Sequence, residues 1–412
     1  MGCCDAPGLM PIETALTKIL AEVKPLETVQ TVSLSEAMGQ VIAEDILSPI
    51  NVPPFANSAM DGYALRSADL EKSDTLTMTG KSFAGIPFEG VCGEGQCIRI
   101  MTGAQMPEGA DTVIMQEETE VDGDGDSIRF LIKPPANDNV RPIGDDVRLG
   151  DVVVSKGNRV TAREMPLLAS LGIATVSVYR RPSVAFFSTG DELRSVGEPL
   201  EAGQIYDSNR YGIRALLEKF GCDVIDLGII PDNPEKLREA FDEATKADVL
   251  VTSGGVSVGE ADYTKDILDE QGEIGFWKIA MKPGKPFAFG TIKGTWFCGL
   301  PGNPVSAMLT LYQLVQPMIA KLAGHSQYQP PQRLKAKATT VFKKRPGRTD
   351  FQRGIYQISP EGQIEVATTG NQGSGAFSSM HQANCFVVLE QERGRVMPGE
   401  EVTIELFNHT MY

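Results

Sequence analysis

Thr252-Ser253-Gly254-Gly255-Val256-Ser257-Val258-Gly259-Glu260-Ala261-Asp262-Tyr263-Thr264-Lys265 places a polar glycine loop where an apolar run gives way to a helix-like one. The preceding Ala247–Val251 segment reads as a short buried strand, and Asp262 to Glu270 alternates charge and apolarity as a helix start does. Gly254, Gly255 and Gly259 remove Cβ atoms where the backbone turns tightly and a ligand can approach the main chain. Successive backbone N–H groups in such a turn, followed by a helix N-terminus, can cradle an anion. A flexible connection has the same composition, so the rest of the chain must decide between them.

Outward from this loop, strands and helices alternate at the spacing of βαβ units from Arg181 onward. Ser183–Ser188 reads as a strand ending at Thr189-Gly190-Asp191-Glu192. Asp207 or Ser208 caps a helix with Ile213, Leu216, Leu217 and Phe220 on one face and Gly221 as its stop. A strand over Val224–Ile230 precedes a second helix, with Pro234 in its first turn. Phe276–Met281 and Phe287–Gly290 are expected to pair around Pro283-Gly284. A strand at Trp296–Gly299 meets Leu300-Pro301-Gly302-Asn303-Pro304, where Asn303 is the expected cap and Pro317 should kink or end the helix. Parallel strands bind ligands beyond their carboxyl ends, an edge that would collect Asp191, Glu192, Asp232, the glycine loop, Asp262 and the Pro301 turn.

Residues 11–47 carry helical spacing at Ile12, Leu16, Ile19 and Leu20 and again over Val32–Ile46. The proline-rich 48–55 segment forces extended geometry, which puts a boundary near residue 49. Residues 49–144 are short β-type runs between glycines, and the helical pattern resumes over 145–178 with Met165, Leu167, Leu168 and Leu171. Gln329-Pro330-Pro331-Gln332 looks like a linker. Beyond it, runs around Val341, Ile355, Ile364, Phe386–Leu389 and Val402–Leu406 suggest a small β barrel or sandwich.

The chain of 412 residues carries a net charge of −16, which disfavours nucleic acid and anionic membranes as partners. No apolar run is long enough to span a bilayer, and Met1–Met10 lacks the pattern of a secretory signal. The seven scattered cysteines read as reduced and cytosolic, and three histidines supply a zinc site poorly. Asp122-Gly123-Asp124-Gly125-Asp126 opens like a calcium loop, but Ser127 and Lys133 fill the glycine and glutamate positions, so a solvated hairpin turn is expected.

An anionic ligand therefore needs a local cationic supply, and Lys278, Lys282 and Lys285 provide one. If their segment is a strand, Lys278 and Lys282 share a face. Asp61, Asp146, Glu192, Asp232 and Asp262 could hold Mg²⁺ together with substrate phosphate oxygens. The loop lacks a Walker A ending and a dinucleotide fingerprint. Gly255-Val256-Ser257-Val258-Gly259 does match the G-x-S-x-G elbow of serine hydrolases, with His325 or His381 as base. That reading leaves the lysines and carboxylates without a role.

Six motifs in order resemble the MoeA family of molybdopterin molybdenumtransferases, which includes the E domain of gephyrin. They are Pro54-Phe55 through Asn57-Ser58-Ala59-Met60-Asp61-Gly62-Tyr63-Ala64, Ile100-Met101-Thr102-Gly103-Ala104, Phe187 to Leu193, Thr252 to Lys265, Lys282-Pro283-Gly284-Lys285-Pro286, and Gly299 to Ser306. The resemblance implies a multidomain α/β plus β chain. Its parts would be a split helical domain (1–48 and 145–178), an inserted β domain (49–144), a central α/β molybdopterin-binding-type domain (179–328) and a C-terminal β domain (329–412). It also implies a transferase that takes molybdopterin adenylate and molybdate with Mg²⁺, cleaves the adenylate, and releases molybdenum cofactor and AMP. The implied assembly is a cytoplasmic homodimer with its cleft across the interface, fed by a molybdopterin adenylyltransferase partner. A binding scaffold is a further reading that the gephyrin relation permits.

By the same resemblance, Asp61, Thr102, Glu192, Asp232, Asp262, Lys278 and Lys282 are catalytic, with Asp61 and Thr102 acting across the dimer. Ser253, Gly254, Gly255, Val256, Ser257, Gly259, Lys285, Pro301, Gly302, Asn303, Pro304, Arg353 and Ser374 bind substrate. Asp61, Asp146, Glu192, Asp232 and Asp262 serve the metal. Gly375 departs from the family pattern, which places a bulkier residue after Gln-Gly-Ser.

Overall fold

The computed structural model describes residues 8–123, 125–255, 267, 270, 272–408 and 411. The central unit is a six-stranded sheet in the order Asp223–Ile230, Ser183–Thr189, Val249–Ser253, Thr295–Leu300, Pro286–Ile292, Gly272–Lys278. The first four strands are parallel, Pro286–Ile292 runs against them, and Gly272–Lys278 pairs antiparallel with Pro286–Ile292. Val249–Ser253 is buried throughout, and its apolar Val249-Leu250-Val251 run suits a parallel strand whose two faces are both covered.

Helix Ser208–Phe220 begins where the Asp207 carboxylate accepts from Arg210 N, and ends where Gly221 adopts φ 89°. Helix Pro234–Ala244 begins with Asn233 accepting from Glu235 N and Lys236 N. The two lie in separate cores. Phe187, Leu250 and Phe297 pack with Leu237 and Phe241, while Phe186, Val251 and Leu300 pack with Ile213, Leu217 and the C-terminal helices. Pro304–Thr310 passes through a π-helical turn, Leu311–Val315, into Gln316–Leu322. Pro317 therefore does not end the helix. It falls in the first turn after the widened segment, where its missing N–H costs least.

The split domain is present in the strand register, because Val29–Ser33 pairs with Thr175–Tyr179 and Ile46–Leu47 with Val152–Val154. Its helical content is smaller than the periodicity implies. Among its described residues beyond helix Ile12–Glu22, only Glu164–Ser170 is α-helical, apart from a single 3-10 turn at Leu34–Glu36, and β-branched Val29, Thr31 and Val32 take strand geometry instead. Helix Ile12–Glu22 buries Ile12, Ala15 and Ile19 in the core of the α/β unit.

The inserted domain is a six-stranded sheet ordered Thr112–Met115, Gly62–Leu65, Gln96–Ile100, Thr75–Ser82, Ser127–Phe130, Thr119–Val121. Val121 pairs with Ile128, so the stretch that imitates a calcium loop closes a hairpin. In the C-terminal domain Thr349–Ile358, Ile364–Thr368, Arg333–Ala338, Glu401–Leu406 and Cys385–Leu389 close into a five-stranded barrel through the pairing of the first with the last. Val341 is not in a strand, and its neighbour Phe342 bridges Val396. The five described cysteines are free and buried. No described helix is long and apolar enough to cross a membrane.

Candidate functional site

Val256, Ser257, Gly259 and Asp262 lie outside the described residues. The loop that opens at Ser253 can still be placed by its first glycines. Gly254 holds φ +95°, and a Cβ there would stand 2.7 Å from Thr189 O, so only glycine lets the ends of two neighbouring strands approach this closely. Gly255 follows with φ 66°. At Gly190 a Cβ would meet the Glu192 carboxylate at 2.6 Å, so that side chain folds back over the turn.

The carboxylates at this edge form a short chain. Thr189 Oγ1 donates to Asp232 Oδ1, and Asp232 N donates to Asp191 Oδ1 at 3.2 Å. Asp191, Glu192 and Asp232 are all exposed. The Pro301 turn is tied to the edge by Asn209, a residue that motif reasoning missed. Its Nδ2 donates to Ser253 Oγ and to Gly302 O, both at 2.7 Å. Asp207 already caps this helix, so a second poor helix former two residues later was the available signal.

The lysine segment is built differently from the sequence expectation. Lys278 ends its strand opposite Pro286, and Met281–Lys282 then joins the C-terminal barrel, pairing in parallel with Thr349–Asp350. Lys278 and Lys282 therefore do not share one strand face, because the chain changes sheets between them. Lys282 Nζ lies 3.1 Å from Asp350 Oδ2, with the lysine side chain 45% exposed and the aspartate 5%. Lys278 and Lys285 are exposed. The turn after Lys282 rests on helix Pro304–Thr310, since a Cβ on Gly284 would stand 2.7 Å from Thr310 Oγ1.

The same helix receives the C-terminal domain. Asn303 makes no side-chain capping bond, and Val305 N donates instead to Ser374 O at 3.0 Å. The loop carrying Ser374 hangs on Arg353, which is 1% exposed. Its guanidinium donates to Ser379 Oγ (2.9 Å), Gly373 O (2.9 Å) and Asn371 O (3.3 Å). Arg353 thus acts through the loop, and Gly375 has open space around its missing Cβ. Around this one helix the fold gathers the Pro301 turn, Lys282, and Ser374.

Asp61 and Thr102 form a separate pair on the inserted sheet. Asp61 Oδ1 accepts from Thr102 N and Thr102 Oγ1, each at 2.7 Å, and these bonds hold its carboxyl below the usual aspartate range. A depressed carboxyl keeps its charge to lower pH. In Thr102→Val the Asp61 carboxyl should therefore titrate at higher pH than in the parent, as read by ¹³C NMR of the side chain; an unchanged titration would dismiss the hydroxyl bond. Asp146 is exposed where the inserted domain returns, its N–H donating to Val52 O at 2.9 Å. Among the described residues no three His, Cys, Asp or Glu side chains gather closely enough to form a metal cluster, so Asp61, Asp146, Glu192 and Asp232 do not meet in one chain.

Of the two histidines named as base for the hydrolase reading, His381 is exposed in helix Phe377–Gln382, and His325 lies at the far end of the sheet from the glycine loop. His325 Nδ1 is 3.0 Å from Gly157 O, beside the split domain, and its cavity is also lined by Pro182 and Gly221 at the amino edge of the sheet.

Comparison with known proteins gives three family matches in sequence order: the MoeA N-terminal region (domain I and II) over residues 10–172, a probable molybdopterin binding domain over 185–321, and the MoeA C-terminal region (domain IV) over 335–407. A molybdopterin molybdenumtransferase of Haemophilus influenzae is 54% identical over 404 residues, covering 98% of this chain and 100% of the relative. Gephyrin of Dictyostelium discoideum is 34% identical over 447 residues, covering 96% of this chain and 62% of the relative. A crystal structure of the molybdopterin biosynthesis MoeA protein from Pyrococcus horikoshii aligns with TM-score 0.84 at 30% identity, over 97% of this chain and 100% of that one.

Proposed function

The chain belongs to the MoeA family of molybdopterin molybdenumtransferases, and from that premise we propose that it transfers molybdenum from molybdate to adenylated molybdopterin with Mg²⁺-dependent cleavage of the adenylate. As a member it is a transferase of molybdenum cofactor biosynthesis. The observation that carries the finer reading is the half-exposed lysine fixed by a buried carboxylate, with the turn after it resting on the helix that leaves the carboxyl edge. Lys282, with Lys278 and Lys285 near it in sequence, offers positive charge to the phosphate and molybdate oxyanions. The amides of the 253–259 loop and the Pro301–Pro304 turn hold the pterin phosphate end.

Asp191, Glu192 and Asp232 supply hard oxygen donors without a closed cluster, which suits a cation that takes one or two carboxylates and fills its shell with phosphate oxygens and water. Mg²⁺, when bound, supplies charge to the adenylate phosphate. Asp61, Thr102 and Asp146 stand on other domains, and in this reading they act on the site of the partner subunit of a homodimer. The protein acts in the cytoplasm and receives its substrate from a molybdopterin adenylyltransferase.

The test is AMP release and metal insertion by the purified protein supplied with molybdopterin adenylate, molybdate and Mg²⁺. Chelation of Mg²⁺ and Asp262→Asn should each reduce release by about 100-fold or more, the scale of losing a principal electrostatic group. Near-normal release in both, or stoichiometric labelling of Ser257 by a fluorophosphonate, would sink the proposal.

A further inference from the structure

At the amino edge of the parallel sheet, the opposite end from the glycine loop, lies a cavity of about 530 Å³. It is bounded by the split domain, the residues before strand Ser183–Thr189, the C-terminal end of helix Ser208–Phe220, and the connection after helix Gln316–Leu322. This volume is that of a pocket for a small organic molecule.

Its charge is opposite to that of the chain. Arg159, Arg163, Arg180 and Arg181 line it, and Glu164 is the single carboxylate among its described lining residues. Glu164 is occupied by Thr161 N at 2.7 Å and by Thr161 Oγ1. Arg180 is matched bidentately by Asp248, at 2.8 and 2.9 Å. Arg159 has no such match. Its Nε donates to Gly39 O at 2.8 Å, and no carboxylate lies within ion-pair distance of it among the described residues. Burial works against its protonated form, and the neighbouring Arg181 adds to that.

Arg159 also sits beside the end of helix Ser208–Phe220, since a Cβ on Gly221 would be 2.8 Å from its Nη2. A helix C-terminus offers only about half a negative charge, so the guanidinium is incompletely compensated. Two further wall groups lack partners among the described residues: Tyr328 Oη, a donor, and Gln316 Oε1, on a side chain 5% exposed. Phe220, Ile319 and Ala323 give the cavity an apolar wall.

We propose that this amino-edge cavity binds a small organic anion, a phosphate or carboxylate on an apolar body, with Arg159 taking the anionic group and Tyr328 Oη donating to it. The apolar body lies on the Phe220–Ile319 wall. Such a site is separate from the transferase edge, and its existence does not depend on the reaction proposed there.

The experiment is calorimetric titration of the full-length protein with phenyl phosphate, benzoate and phenol. The expected result is saturable binding, one per chain, of phenyl phosphate or benzoate, with phenol at least tenfold weaker; whichever anion binds more tightly identifies the group. Arg159→Gln should weaken binding tenfold or more. Ala320→Phe, which fills the cavity and leaves Arg159 in place, should abolish it, and decides the matter if Arg159→Gln does not fold. The double variant Lys282→Ala, Lys285→Ala should bind as the parent does. Absence of binding to the parent, binding untouched by Ala320→Phe, or binding lost in the lysine double variant would each overturn the proposal.

Discussion

Lys282→Met should lower the rate of AMP release by about 100-fold or more, the loss expected when one fixed charge is removed from a developing oxyanion in a partly dry site. Two structural facts make this lysine the one to remove. Its strand partner is Thr349–Asp350 of the barrel, so the backbone cannot drift, and its ammonium is held 3.1 Å from Asp350 while nearly half of the side chain stays open. A flexible lysine would spend entropy on each turnover; this one is already oriented. Stability should fall much less, by about 1–2 kcal/mol, because the lysine is nearly half exposed and the buried Asp350 keeps Gln352 Nε2 at 3.0 Å. Asp350→Asn separates charge from placement. It leaves the ammonium and removes its anchor, so KM should rise several-fold with a smaller change in kcat. Equal loss of activity in both variants, or none in Lys282→Met, would contradict this assignment.

The parts of the fold that were legible are those whose signals are local. Asp207 and Gly221 bracket their helix because a cap needs only its own turn, and Val249–Ser253 reads as a central strand because nothing polar interrupts its first three residues. Helix Ile12–Glu22 was legible as a helix but not as part of the α/β core. Its docking surface lies some 300 residues away in sequence, where Lys321 Nζ donates to Leu20 O. The two-residue period that put Lys278 and Lys282 on one face assumes one sheet, and a change of sheet between them leaves no mark in composition. Nothing local in Arg348-Thr349-Asp350 marks Asp350 for burial, yet it is 4% exposed where the lysine strand lies along it. Asn303 follows the cap rule in sequence, but the barrel's Ser374 carbonyl reaches Val305 N, so the side chain is spared that task.

Arg353→Ala should destabilise the protein by about 3 kcal/mol or more, the largest stability loss expected of any substitution considered. The guanidinium is almost wholly buried and satisfies Ser379 Oγ and the carbonyls of Asn371 and Gly373. Removing it leaves a void and deprives the buried Ser379 Oγ of its donor, each costing about 1–3 kcal/mol before relaxation, and unties the carbonyls of the exposed Asn371 and Gly373. Burial pulls the arginine pKa down to about 10, so the group is still charged at neutral pH and its partners must answer that charge. Arg353→Lys should not restore stability, because a single ammonium cannot reproduce a fork aimed at three separated oxygens. Function should follow through the loop. Without its tether the 371–376 segment no longer holds Ser374 O against Val305 N, and the helix that leaves the Pro301 turn loses its first capping bond. Thermal unfolding should therefore shift downward in both variants, with KM for the pterin substrate rising at temperatures where the protein remains folded. An unchanged melting temperature in Arg353→Ala would mean that the loop is held by other contacts. A normal KM with a lowered melting temperature would confine Arg353 to the stability of the barrel.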